Sequence, residues 1–97
     1  MSEQTDVTVQ ENTDLRRYEA STDAGVVAGF AEYEDVGVVR IFTHTEVDDA
    51  FEGQGVGSSL ARGALDDVRR RGMRLSAKCE FIKGYVEKHP EYADLED

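Results

Sequence analysis

The chain has 97 residues and carries 21 acidic against 11 basic side chains, a formal net charge of −10. A surface this acidic repels phosphate backbones and anionic lipid, which argues against nucleic acid and anionic membrane as partners. No apolar run reaches the roughly 18 residues a membrane-spanning helix needs, and the single Cys79 excludes an internal disulfide.

Length sets the expectation of one domain spanning 1–97. Met1 to Gln10 is polar and lacks the apolar stretch of a secretion signal, so a cytoplasmic protein is expected, with residues 1–6 disordered. Val7 to Gln10 and Leu15 to Ala20 read as short strands joined through Asn12-Thr13-Asp14, a turn composition. After the turn Thr22 to Gly25, Val26 to Tyr33 is strand-like. Val38 to Val47 is the longest strand candidate, rich in β-branched and aromatic residues. Period two places Val39, Ile41, Thr43, Thr45 and Val47 on a core face, with Val38, Arg40, Phe42, His44 and Glu46 opposite.

Val56 to Arg71 reads as a helix with an apolar stripe of Leu60, Ala61, Ala64, Leu65 and Val68. Asp66, Asp67, Arg69 and Arg70 are expected in water. Met73 to Ala77 alternates as a strand. Glu80 to His89 is a second helix with Phe81, Ile82, Tyr85 and Val86 inward, ended by Pro90. The order is β-β-β-β-α-β-α. The fold class is α/β in the α+β sense: a mostly antiparallel twisted sheet of about five strands with two helices, the last two strands parallel through a helical crossover.

Glu52-Gly53-Gln54-Gly55-Val56-Gly57-Ser58 joins the longest strand to the first helix. Glycines there permit close backbone approach, and the helix start adds unpaired N–H groups and a positive dipole end, a receptor for phosphate. A flexible turn would have the same composition. No Gly-Lys-Ser/Thr follows, so it is not a P-loop, and the glycine spacing is not that of a dinucleotide fold. His44 sits near the end of the preceding strand, either as a base, with an ordinary pKa of about 6.5, or as packing. Cys79 opens the second helix, where a helix N-terminus and the neighbouring Lys78 and Lys83 favour a thiolate; otherwise it is a small buried hydrophobe. No Cys and His cluster has metal-ligand spacing, so no metal is expected.

In order along the chain come His44-Thr45-Glu46-Val47, Glu52-Gly53-Gln54-Gly55-Val56-Gly57, Cys79 and His89-Pro90-Glu91-Tyr92. With these motifs the chain resembles the GNAT acetyltransferase superfamily over about residues 7 to 95, and within it the small single-domain YjdJ-type branch. The resemblance implies an acetyl-CoA (coenzyme A) cofactor whose diphosphate is held by main-chain amides of Gly53, Gln54, Gly55, Val56, Gly57 and Ser58. It implies a pantetheine arm alongside the backbone of Glu46 and Val47. Glu52 stands where the family pattern has Arg or Gln, so its side chain is expected to turn away. Ala77 replaces a proline usual in the branch. His44 and Cys79 are implied as catalytic residues near the thioester. Tyr85 is a core residue or, as the helix tyrosine of many family enzymes, an acid for the departing thiolate; His89 is expected to cap its helix.

The expected function is N-acetyl transfer from acetyl-CoA to a primary amine, on a small molecule or a protein. The alternative is a non-catalytic acyl-CoA-binding or sensing module. The spread of carboxylates, with eight arginines and only three lysines (Lys78, Lys83, Lys88), suggests adaptation to high salt; attraction of a cationic substrate would leave the same surface. Acceptor and oligomeric state are open.

Overall fold

A computed structural model describes residues 6–97. Residues 1–5 of the segment expected to be disordered lie outside the described residues. Five strands form one sheet in the order β1-β2-β3-β4-β5: β1 Thr8–Asn12, β2 Arg17–Ser21, β3 Val27–Val36, β4 Val39–Val47 and β5 Arg74–Ala77. The first four are antiparallel neighbours, and β5 runs parallel to β4. Between β4 and β5 runs α1, Val56–Arg70; α2 is Glu80–Lys88. The expected element order is the observed one. Two short 3-10 turns were not expected, Asp49–Phe51 and Pro90–Leu95.

The α1 stripe behaves as its spacing requires. Leu60, Ala61, Ala64, Leu65 and Val68 are fully buried and pack on the sheet with Tyr18, Ala20, Ala31 and Phe42. Ile82 and Val86 bring α2 into the same core, whereas Phe81 stays 41% exposed. Pro90 ends α2 by starting the second 3-10 turn, which buries Tyr92 and Leu95 and lets the Tyr92 hydroxyl donate to Asp66 at 2.6 Å. The last residue then donates its N–H to Leu75 O on β5 at 2.9 Å.

The face assignment of β4 needs correction. Tyr33 pairs with Phe42 and Glu32 with His44, so Thr43 is an extra residue without an opposite number. This bulge shifts the alternation by one. Before it, Arg40 and Phe42 point into the core; after it, Thr45 and Val47 are the half-buried residues, while His44 and Glu46 are exposed. The sheet face turned away from the core carries the rows Arg17–Glu32–His44 and Glu19–Phe30–Glu46.

Asp67 also departs from expectation: it is buried rather than in water. Its carboxylate accepts from the Tyr18 hydroxyl at 2.6 Å and from Arg71 at 2.7 Å, and pairs with Arg70. Arg40, only 5% exposed, reaches the same cluster: it holds Asp35 with two hydrogen bonds, donates to the Tyr18 oxygen at 2.7 Å, and lies 3.1 Å from Glu11. Its guanidinium stacks 3.9 Å over the Tyr33 ring. No side-chain polar atom buried among the described residues lacks a hydrogen bond. The cluster joins β1, β2, β3, β4 and the C-terminal end of α1.

Candidate functional site

The site forms where β4 and β5 part. The parallel ladder ends at Phe42 opposite Ala77. Phe42 O then accepts from both Lys78 N (2.9 Å) and Cys79 N (3.1 Å) as the chain turns into α2. β4 continues to Val47 with β3 as its sole strand neighbour. Asp48 N donates to Ala28 O on β3 at 2.8 Å. Alternation along a strand therefore aims the main-chain groups of Glu46 at β3 and those of Thr45 and Val47 at the opening. Of the two residues expected beside a pantetheine arm, Val47 offers its backbone to the opening and Glu46 does not.

At the end of β4 the 3-10 turn is capped by Asp48, whose carboxylate accepts from Ala50 N at 2.9 Å. Gln54 N–H closes on Phe51 O at 3.3 Å. Gly53 (φ 78°) and Gly55 (φ 80°) then occupy the left-handed region, where other residues are strained. They bend the chain so that α1 starts at Val56 with no side-chain cap and no acid in its first turn. Ser59 N is the first amide to reach back, to Gly55 O at 3.1 Å. The N–H groups of Val56, Gly57 and Ser58 have no main-chain acceptor among the described residues, as expected for a helix start.

Gly57 is a glycine for a different reason. A Cβ there would lie 2.6 Å from the Phe81 ring, so its bare backbone is what lets that ring lie against the start of α1. Thr45, Val47, Phe51, the glycine loop, Ser58 and Phe81 surround a cavity of about 380 Å³. Glu52 borders it as well.

Cys79 precedes α2 in an extended conformation, and its Sγ lies 3.3 Å from Thr45 Oγ1. Thr45 is the residue that sequence reasoning missed. Period two places it on the core face, but no local spacing predicts that it meets Cys79, 34 residues further on. His44 projects from the other face of β4, with its side chain 53% exposed and Nε2 3.4 Å from Glu46 Oε1. Its ring centroid is 6.2 Å from that of Phe30. The structure thus brings Cys79 to Thr45 and His44 to Glu46, on opposite faces of one strand.

Tyr85 and His89 stack with centroids 4.0 Å apart. Burial, against the pull of the nearby Arg62 guanidinium, raises the Tyr85 phenol above its ordinary value. His89 caps α2 as expected, through its main-chain N–H, which donates to Val86 O at 3.2 Å. No group of ligands fit for a metal ion occurs among the described residues.

A pyrophosphate ester on a long apolar-polar arm fits this set. The helix-start amides suit the diphosphate, the free edge of β4 suits an amide-bearing arm, and the apolar walls Val47, Phe51 and Phe81 suit its methylenes.

A family model described as GCN5-related N-acetyl-transferase matches residues 17–95. Protein NATD1 of Xenopus tropicalis is 39% identical over 59 residues, which are 60% of this chain and 54% of that protein. The human protein of the same name gives 39% over 59 residues, 60% of this chain and 52% of its own. The chain thus spans about half the length of the curated relatives it matches. Among solved structures, a GCN5-like protein from Staphylococcus aureus proposed as an N-acetyltransferase superposes with a TM-score of 0.71 at 24% identity, over 95% of this chain and 89% of that one. The ribosomal-protein-S18-alanine N-acetyltransferase of Escherichia coli gives 0.64 at 17% identity, over 84% and 74%. At these identities the two structures speak for the fold.

Proposed function

This chain belongs to the GCN5-related N-acetyltransferase family, and on that premise we propose that it moves an acetyl group from acetyl-CoA to a primary amine. The observation that carries the reading is the run of unpaired amides at Val56, Gly57 and Ser58, set by two left-handed glycines beside the free edge of β4. When bound, acetyl-CoA supplies a thioester carbonyl carbon as electrophile and a thiolate as leaving group.

The chain's own residues then have separate tasks. The loop amides bind the diphosphate, and main-chain groups of Thr45 and Val47 fix the arm in register with β4. The amine must be neutral to attack. His44 is the base that takes its proton, with Glu46 at 3.4 Å positioned to stabilise the imidazolium. Cys79, held at Thr45 on the inner face, sits at the mouth of the strand opening. The acceptor is a small-molecule or protein amine that meets an acidic surface.

Isothermal titration with CoA tests the cradle, and thiol release from acetyl-CoA across polyamines, peptides and aminoglycosides tests turnover. His44→Ala should lower kcat by about 10²-fold or more while leaving CoA affinity unchanged. Cys79→Ala should also slow the reaction, and intact mass after incubation with acetyl-CoA tells whether the thiol carries the acetyl group. Absence of CoA binding would sink the reading. The second reading, an acyl-CoA-binding or sensing module without turnover, is favoured by the separation of His44 and Cys79 on opposite faces of β4. It predicts CoA binding with no thiol release for any amine.

A further inference from the structure

The two edges of the sheet are finished differently. β5 is covered by the chain's own end: Glu96 bridges Leu75 in parallel, Asp97 N–H donates to Leu75 O at 2.9 Å, and the Arg74 guanidinium donates to Glu96 O. β1, at the other edge, has β2 as its sole strand neighbour among the described residues. Such an edge pairs with another strand unless lysine, proline or a bulge blunts it, and Thr8–Asn12 carries none of these.

The ladder fixes which main-chain groups of β1 are free. Tyr33 N–H donates to Arg16 O at 3.0 Å, so along β2 the groups of Tyr18 and Ala20 point to β3 and those of Arg17, Glu19 and Ser21 point to β1. Asp48 N–H on Ala28 O gives the same phase from the far side of β3, since it turns Gly29 and Ala31 towards Ala20 and Tyr18. The β1 residues opposite Arg17, Glu19 and Ser21 are Asn12, Gln10 and Thr8, and β2 satisfies them. Val9 and Glu11, with Val7 before them, therefore aim N–H and C=O outward from the sheet.

The side chains along this edge are uncharged or already neutralised. Thr8 and Gln10 are exposed on the outer face. Val9 points inward at α1, so close that a Cβ on Gly63 would stand 2.7 Å from it, and that contact holds β1 in place. The inward acid Glu11 is held by Arg40 at 3.1 Å and Arg71 at 2.6 Å. A groove of about 260 Å³ between β1 and α1, bordered by Gly63 and Arg70, leaves room beside the strand. On a chain of net charge −10, this neutral edge gives a charged peptide nothing to recognise, whereas it complements itself.

From this free edge we propose that the chain pairs with a second copy of itself, β1 antiparallel to β1 about a two-fold axis at Val9, so that two five-stranded sheets become one. Val9 then exchanges both main-chain bonds with its counterpart, Val7 does so with Glu11, and Thr8 faces Gln10 on the outer face. Sliding the register by two residues sets Glu11 against Val9 and brings the two Glu11 carboxylates nearer each other, which is less favourable. The same patch meets itself, as a two-fold interface requires. It lies across the sheet from the opening between β4 and β5, so the pairing stands independently of the acetyl-transfer reading.

Sedimentation equilibrium of the full chain should show a monomer–dimer equilibrium with a dissociation constant of about 10–100 μM, the weak range expected of a short edge pairing. It should tighten several-fold from low salt to molar KCl, as the repulsion between two acidic copies is screened. Amide hydrogen exchange should slow with rising concentration at Val7, Val9 and Glu11 and not at Thr8, Gln10 and Asn12, which β2 already protects. The double variant Thr8→Lys/Gln10→Lys, at two exposed positions, lowers the net negative charge yet sets lysines opposite one another across the axis. It should weaken dimerisation by about tenfold or more, and mixing it with Thr8→Glu/Gln10→Glu should restore pairing as a heterodimer. A chain that stays monomeric up to about 1 mM, a dimer indifferent to the lysine pair, or protection that does not alternate along β1 overturns the proposal.

Discussion

The two ends of β4 and α1 treat charge in opposite ways. Where β4 begins and α1 ends, Arg40, Asp35, Glu11, Asp67 and Arg71 satisfy one another through Tyr18 and Tyr33. Where β4 ends and α1 begins, helix-start amides and nearby cations stand without partners. A closed cluster uses its electrostatics to hold five elements together. An open end leaves them unpaired, as the proposed ligand site requires. The same helix serves both, because its dipole and its unpaired termini make its two ends chemically different.

Breaking the closed end should cost most. Arg40→Met keeps much of the stem's packing but takes from Glu11 and Asp67, each under 10% exposed, the buried one of their arginines, leaving them the half-exposed Arg71. Removing one partner of a buried ion pair costs up to about 3–5 kcal/mol when the other is left uncompensated; with Arg71 remaining on both acids the loss should be about 2–3 kcal/mol, still a large share of the roughly 5–15 kcal/mol a domain possesses. Urea denaturation should show this loss while CoA affinity, measured below the transition, stays put. A parallel fall in CoA affinity would mean that the two ends are not separable. Tyr18→Phe removes the hydroxyl that donates to Asp67 and accepts from Arg40, and should cost about 1–3 kcal/mol.

Acid tests the same cluster. The hydrogen bonds from Arg40 hold the Asp35 carboxyl below its ordinary range. Burial alone would raise Asp67, but hydrogen bonds from Tyr18 and Arg71 and the arginine charges bring it below as well. Carboxylates depressed in the folded state stabilise it above their unfolded pKa of about 3.9, and that contribution is lost as pH falls through the native values. Stability should therefore drop below about pH 4, and the drop should be shallower in Arg40→Met. At the other extreme, burial and the Glu11 hydrogen bond push the Tyr33 phenol up to about 12. Its contribution is complete below about pH 10 and fades as pH rises towards that value.

The open end was legible in the sequence and the closed end was not. Gly53, Gly55 and Gly57 fall within five residues, and a helix stripe follows at once, so local spacing suffices to mark the glycine turn and the helix start. The cluster is assembled from residues up to 60 positions apart, Glu11 and Arg71, whose meeting no local pattern encodes. Arg40 read as a surface residue because period two was carried unbroken through Thr43, where the strand holds one extra residue. Thr45 lay on the expected face, but its contact with Cys79 spans 34 positions and no local pattern encodes it either.

Gly57→Ala probes the open end most finely, because its effects on stability and on binding should part. A Cβ at 57 comes within 2.6 Å of the tip of Phe81, a half-exposed ring free to swing outward. Alanine is also the better helix former by about 0.8–1.0 kcal/mol. The two should nearly cancel, so the melting temperature should move little. The displaced ring is a wall of the cavity, however, and Phe81 also lines a neighbouring groove along α2. CoA affinity should fall several-fold, about 1 kcal/mol, while a Phe81→Leu change that shortens the ring should restore most of it when combined with Gly57→Ala. If Gly57→Ala instead lowers stability and leaves CoA binding intact, the contact belongs to the packing of α1 on α2 and not to the ligand.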